Sequence, residues 1–133
     1  MLINNQIKGI KETCLYIHDL DSAKTFYHDT LGFPVIHHEP GKHIFFRAGR
    51  SVLLCFNPVD SRTKKSPPPH YADGPQHLAF EVSPADYDLL KNEFQQKGIQ
   101  IIDQLVWGSG QESFYFKDPE GNVLEIVPEG VWD

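Results

Sequence analysis

DPEGNVLEI, residues 118–126, reads as a turn followed by a strand. Asp118-Pro119-Glu120-Gly121-Asn122 holds four residue types that favour turns. Val123-Leu124-Glu125-Ile126-Val127 then supplies a strand in which one carboxylate, Glu125, stands among four aliphatic side chains. A solvated strand would explain a lone glutamate. So would a ligand on a buried face, and the surrounding chain has to decide between them.

Working outward, strands are expected near 99–106, 111–117 and 122–127. A helix precedes them. Ser83 caps it, Pro84 occupies its first position, Tyr87, Leu90 and Phe94 mark its apolar face, and Gly98 ends it. Before that helix, Gln76–Val82 alternates as a strand, with Leu78, Phe80 and Val82 toward the helix and His77, Ala79 and Glu81 away from it. The first half has the same order. Ile10–His18 alternates, Asp19 to Ser22 cap a helix carrying Ala23, Phe26, Tyr27 and Leu31, and Gly32 stops it. Short strands follow near 33–38, 43–48 and 51–57. Both halves therefore read β-α-β-β-β, and the residues echo faintly. ETCLYI (12–17) answers HLAFEV (77–82), LGF (31–33) answers KGI (97–99), and SVLL (51–54) answers NVLE (122–125). An internal duplication is expected, with modules at 7–57 and 75–128 of one domain spanning 1–133. The Pro-rich stretch 58–74, PVDSRTKKSPPPHYADG, would connect them.

Composition narrows the function. The chain is 40% hydrophobic and 23% charged, enough apolar material for a core. A formal charge of −6 leaves no basic surplus for nucleic acid or anionic membrane. The two cysteines, Cys14 and Cys55, form no CxxC pattern. Met1-Leu2-Ile3-Asn4-Asn5 lacks a signal-peptide pattern, so a cytoplasmic protein with a small-molecule partner is expected.

The repeat places Glu12 and His77 at equivalent points of the two first strands, on the face away from the helix. Glu125 is expected on that face too. Two carboxylates and an imidazole converging without compensation would cost several kcal/mol. A divalent cation resolves the conflict by pairing the charges and using a neutral imidazole nitrogen.

These residues resemble a known family. CLYIHDLDSAKTFYHDTLGF (14–33) is similar to the first-module signature of the vicinal oxygen chelate superfamily. GPQHLAFEV (74–82) with SFYFKDPEGNVLEI (113–126) resembles its second-module signature. The group includes glyoxalases, extradiol dioxygenases, fosfomycin-resistance thiol transferases and bleomycin-resistance proteins. The resemblance implies an α+β fold of tandem βαβββ modules, with a curved mixed sheet and the helices outside. It also implies a divalent metal (Zn, Ni, Mn or Fe) and, in many members, a homodimer that exchanges modules. Carried over by residue, His77 and Glu125 stand at ligand positions, and Glu12 stands where many members have histidine. Leu54 occupies the position of a further glyoxalase glutamate, so the full glyoxalase I ligand set is not present. Ser113 and Tyr115 match hydroxyl positions of the fosfomycin-resistance strand, while Leu105 stands where those enzymes carry lysine.

The expected function is that of a metal-dependent lyase, isomerase or transferase acting on a small oxygen-chelating substrate. Glu12, His77 and Glu125 are the expected metal ligands, with Glu12 doubling as general base. The alternative is a metal-free binding protein of the bleomycin-resistance type. Tyr115 is either a catalytic hydrogen-bond donor or a cross-strand aromatic at the rim. Cys14 and Tyr16 line the face beside Glu12, with Cys14 a small lining residue rather than a nucleophile. Trp107 sits at a pocket mouth or packs at a hairpin end, and Ser113 shares a face with Tyr115. His37, His38 and His43 lie around a hairpin. Arg62, Lys64 and Lys65 form either a lid over an anionic substrate or a solvated linker.

Overall fold

The computed structural model describes residues 3–133, and alternation along its strands sets the whole arrangement. The chain divides into two compact units, up to Tyr71 and from Ala72 onward. Each holds a four-stranded mixed sheet with the same plan. In the first unit β1 (Glu12–Tyr16), β2 (Val35–Glu39), β3 (His43–Ala48) and β4 (Ser51–Phe56) lie in the order β1-β4-β3-β2. In the second, β5 (His77–Val82), β6 (Asp103–Val106), β7 (Glu112–Lys117) and β8 (Val123–Pro128) lie in the order β5-β8-β7-β6. The β1–β4 and β5–β8 pairs are parallel and the others antiparallel. A parallel pair needs a crossover connection, and each unit's helix lies within that crossover.

In the first unit α1 (Leu20–Ala23) is capped by Asp19, whose carboxylate accepts from the Ser22 amide. It widens into a π-helical stretch over Lys24–Thr30, and Gly32 at φ 83° turns the chain out. Leu15, Ile44, Phe46 and Leu53 are each no more than 1% exposed, and Phe46 meets Tyr27 of this helical layer at 5.4 Å between ring centroids. In the second unit α3 (Pro84–Gln96) starts at Ser83, whose hydroxyl accepts from the Asp86 amide. Its Phe94 packs edge-on against Phe114 and Phe116, with centroids at 5.2 and 4.8 Å. Such aromatic pairs add about 0.5–1.5 kcal/mol each beyond the burial of apolar area. Tyr87 and Lys91 tether the helix to β7 through Glu112, at 2.9 and 2.8 Å. Burial, and then the hydrogen bond to Glu112, push the Tyr87 hydroxyl far up.

Two expectations shift in detail. A short helix, α2 (Pro58–Ser61), opens the Pro-rich connection, with Asn57 capping the Val59 amide and Pro58 in the first turn. The strand expected from residue 99 begins at Asp103, because Ile99 closes the helix C-terminus through the Phe94 carbonyl. Among the described residues no helix is long and apolar enough to cross a membrane.

Candidate functional site

The DPEGN turn is a knot of short hydrogen bonds. Asp118 Oδ1 accepts from the amides of Glu120 and Asn122, and Asp118 Oδ2 accepts from Asn122 Nδ2. Gly121 at φ 93° supplies the left-handed backbone conformation that the reversal requires. Asn122, 1% exposed, spends its remaining oxygen on the Gln76 amide, at 2.9 Å. The turn that launches β8 is thereby bonded to the residue just before β5. Register follows. His77 pairs with Val123, Ala79 with Glu125, and Glu125 with Tyr115. Side chains directly across a sheet share a face, as do residues two apart along a strand. His77, Glu125, Tyr115 and Ser113 therefore all lie on the face away from α3.

On that face His77 Nε2 stands 3.3 Å from Glu125 Oε1. The imidazole is 52% exposed and the carboxylate 7%. The other ring nitrogen, Nδ1, is 2.8 Å from the Val123 carbonyl oxygen. A carbonyl can only accept, so Nδ1 carries a proton. In the neutral ring Nε2 is then an electron pair aimed at another acceptor. A cation between them converts this conflict into an attraction. Two ligand atoms about 2.1 Å from one tetrahedral or octahedral cation stand roughly 3.0–3.4 Å apart. The observed separation and the N,O donor types fit a divalent metal. The Tyr115 ring lies beside the pair, 6.2 Å from His77 between centroids.

Glu12 opens β1 in the first unit and is exposed. It pairs with Val52 just as His77 pairs with Val123, and Leu54 pairs with Cys14 just as Glu125 pairs with Ala79. The ladders thus carry the same register in both units, with Glu12 equivalent to His77 and Leu54 to Glu125. The structure brings together His77 and Glu125 of the expected ligands. Among the described residues no group of three or more His, Cys, Asp and Glu side chains is gathered to hold a metal ion.

The other expected residues sort by geometry. Ser113 is fully buried, and its hydroxyl accepts from the Trp107 indole at 3.0 Å. Trp107 sits at the β6–β7 hairpin end and meets Trp132 edge-on at 5.1 Å. Burial, and then the Glu12 carboxylate, raise the Cys14 thiol, which makes it a poor nucleophile at neutral pH. Burial likewise raises the Tyr16 hydroxyl, which lies 2.7 Å from His70 Nδ1. His37 Nδ1 and His43 Nε2 share a hydrogen bond at 2.8 Å, while His43 stacks on Phe45 at 4.1 Å. Nothing in the local sequence singles out His70. It lies in a proline-rich stretch with no periodicity, and only contact with Tyr16 marks it.

Two sheets of the same βαβββ order, the second with an imidazole–carboxylate pair on the face opposite its helix, define a glyoxalase-type fold. The chain belongs to the Glyoxalase/Bleomycin resistance protein/Dioxygenase superfamily, whose model it matches over residues 9–126. A lactoylglutathione lyase structure from Agrobacterium tumefaciens superposes with a TM-score of 0.90 at 35% identity, covering 95% of this chain and 97% of that one. The glutathione transferase FosA of Serratia marcescens is 29% identical over 120 residues, 90% of this chain and 80% of that protein. The metallothiol transferase FosB of Bacillus licheniformis is 24% identical over 131 residues, 98% of this chain and 81% of that protein.

Proposed function

We propose that the protein is a divalent-metal-dependent enzyme acting on a small substrate with two neighbouring chelating oxygens. The observation that carries this reading is the 3.3 Å approach of His77 Nε2 to Glu125 Oε1, with Nδ1 committed to the Val123 carbonyl. His77 and Glu125 supply two ligands. Glu12 supplies the third from a first unit, either of the same chain or of a second copy in a homodimer. The oxygen-rich set suits manganese, nickel, zinc or iron. When bound, such a cation supplies Lewis-acid stabilisation of negative charge developing on substrate oxygen.

The chain's own residues do the rest. The Val123 carbonyl holds the His77 ring at one orientation and one tautomer, so Nε2 stays available. The burial of Glu125 fixes its carboxylate against rotation. The Tyr115 hydroxyl donates a hydrogen bond to substrate oxygen. The Glu12 carboxylate, released from any cation it holds, would act as general base toward the carbon beside a substrate carbonyl. Leu54, in the position equivalent to Glu125, leaves this ligand set one carboxylate short of the glyoxalase I pattern. Thiol addition or lyase chemistry on a chelated oxygen substrate fits the set as well as isomerisation does. Three relatives named for glutathione or metallothiol chemistry support a thiol cosubstrate.

A second reading, a metal-free binding protein, draws on the gathering of two ligands rather than three within the described residues. One experiment separates the two. Protein purified without chelator or nickel resin is analysed for metal by mass spectrometry, then titrated with manganese, nickel and zinc by calorimetry. Wild type is expected to bind one metal per site, His77→Ala and Glu125→Ala to lose it, and Glu12→Gln to bind more weakly. Equal metal content in wild type and the two alanine variants overturns the enzyme reading.

A further inference from the structure

The first unit's sheet face carries a second polar group, about 13 Å along β1 from Glu12. Glu12 and Tyr16 are four residues apart on one face, at about 3.3 Å per residue. Around Tyr16 the connection after β4 folds back over the sheet. The His70 ring meets Phe56 edge-on at 4.6 Å and Tyr16 at 5.7 Å. Lys64 Nζ lies over the Phe56 ring, 5.5 Å from its centroid. Phe56 is 7% exposed, and its ring is the common contact of the Lys64 and His70 side chains. The His70 amide bonds the Ser61 carbonyl at 3.3 Å and ties the returning chain to α2.

Charge is uneven here. In a chain of net charge −6, Arg62, Lys64 and Lys65 put three cations into four residues. Among the described residues only Lys64 meets a carboxylate, Asp60 at 3.8 Å, while Arg62 and Lys65 are exposed and form no ion pair. Tyr16 and Phe45, both half-buried, lie on the same sheet face as neighbouring apolar surface. A cationic, N–H-bearing rim over an aromatic face complements a small anion with an apolar body.

We propose that Lys64 and His70 form an oxyanion-recognition site that takes the carboxylate or phosphate end of a small amphiphilic ligand. Tyr16 is its positioning residue. With the Tyr16 O–H as donor to His70 Nδ1, 2.7 Å away, the imidazole proton sits on Nε2, which among the described residues meets no partner. Arg62 and Lys65 add long-range attraction.

The test uses the full chain, chelator-treated so that the metal ligands do not contribute. Histidine side-chain NMR follows titration with phenyl phosphate, benzoate and neutral benzamide. Saturable shifts at His70 are expected with one or both anions and not with benzamide. Phenyl phosphate alone would name a phosphate end, and benzoate alone a carboxylate end. Lys64→Gln and His70→Gln should each weaken binding about tenfold, while wild-type metal affinity, measured separately, is retained in both. Tyr16→Phe should move the His70 nitrogen shifts away from the Nε2–H tautomer, a signature that loss of packing alone would not give. No saturable shift at His70, equal response to benzamide, or unchanged anion affinity in both variants overturns the proposal. Anion binding at His70 with no metal bound at His77 would leave this site standing and remove the enzyme reading instead.

Discussion

Replacing Glu125 by leucine should make the metal-free protein more stable and the metal-loaded protein less so. In the absence of a cation, Glu125 is an acidic side chain 7% exposed, with His77 Nε2 3.3 Å away. Its strand neighbours Leu124 and Ile126 are buried and apolar. The equivalent position in the first unit, Leu54, already holds leucine at 8% exposure, so the fold accommodates that side chain there. Replacing buried charge with a well-packed apolar residue commonly stabilises by about 1–4 kcal/mol. His77 is half exposed and water reaches that side of the pair, so the lower part of the range, about 1–2 kcal/mol, is expected. Metal reverses the order. A ligand present at a hundred times its dissociation constant stabilises the folded state by about 2.7 kcal/mol, and the leucine variant forgoes that gain. Urea unfolding followed by circular dichroism, with excess chelator and then with excess manganese or zinc, measures both halves. Destabilisation of Glu125→Leu in chelator, or equal stabilisation of both proteins by metal, would refute the reasoning.

Ser113→Ala removes the acceptor for the Trp107 indole inside a fully buried position. It should cost about 1 kcal/mol in urea unfolding and shift tryptophan emission. Lys91→Met tests an ion pair with side chains 22% and 29% exposed. The hydrogen bond from Lys91, and then that from Tyr87, hold the Glu112 carboxyl below its ordinary value. The pair's contribution is therefore full above the ordinary glutamate value, about 4.3, and fades as pH falls through the lowered one. The variant should lose about 0.5–1 kcal/mol at neutral pH and show a flatter acid limb in stability measured from pH 7 to 3.

The site's second-unit half was legible because strands repeat every two residues. Alternation in 77–82 and 122–127 fixes which side chains share a face, and the NVLE–SVLL echo set Leu54 against Glu125 before any ladder was known. The DPEGN turn was legible as a turn. Its bond from Asn122 to the Gln76 amide was not, since nothing local joins residues 46 positions apart. The connection was harder still. Asn57-Pro58 carries a helix-start signal, a cap followed by proline, but its helix is only four residues long and leaves no apolar period to read. His70 follows three prolines and gains meaning only from Tyr16, 54 residues earlier. The late start of β6 had a different cause. Ile99, Ile101 and Ile102 look like strand by composition, yet the first of them is drawn into closing the preceding helix.

The acceptor that aims His77 is a main-chain oxygen, and no point mutation can delete it. Any variant that keeps His77 and the β5–β8 pairing keeps the same main-chain acceptor at Nδ1, whatever happens to the neighbouring side chains. Substitutions at Tyr115, Glu12 or the loop cations therefore leave the bearing of that ring unchanged.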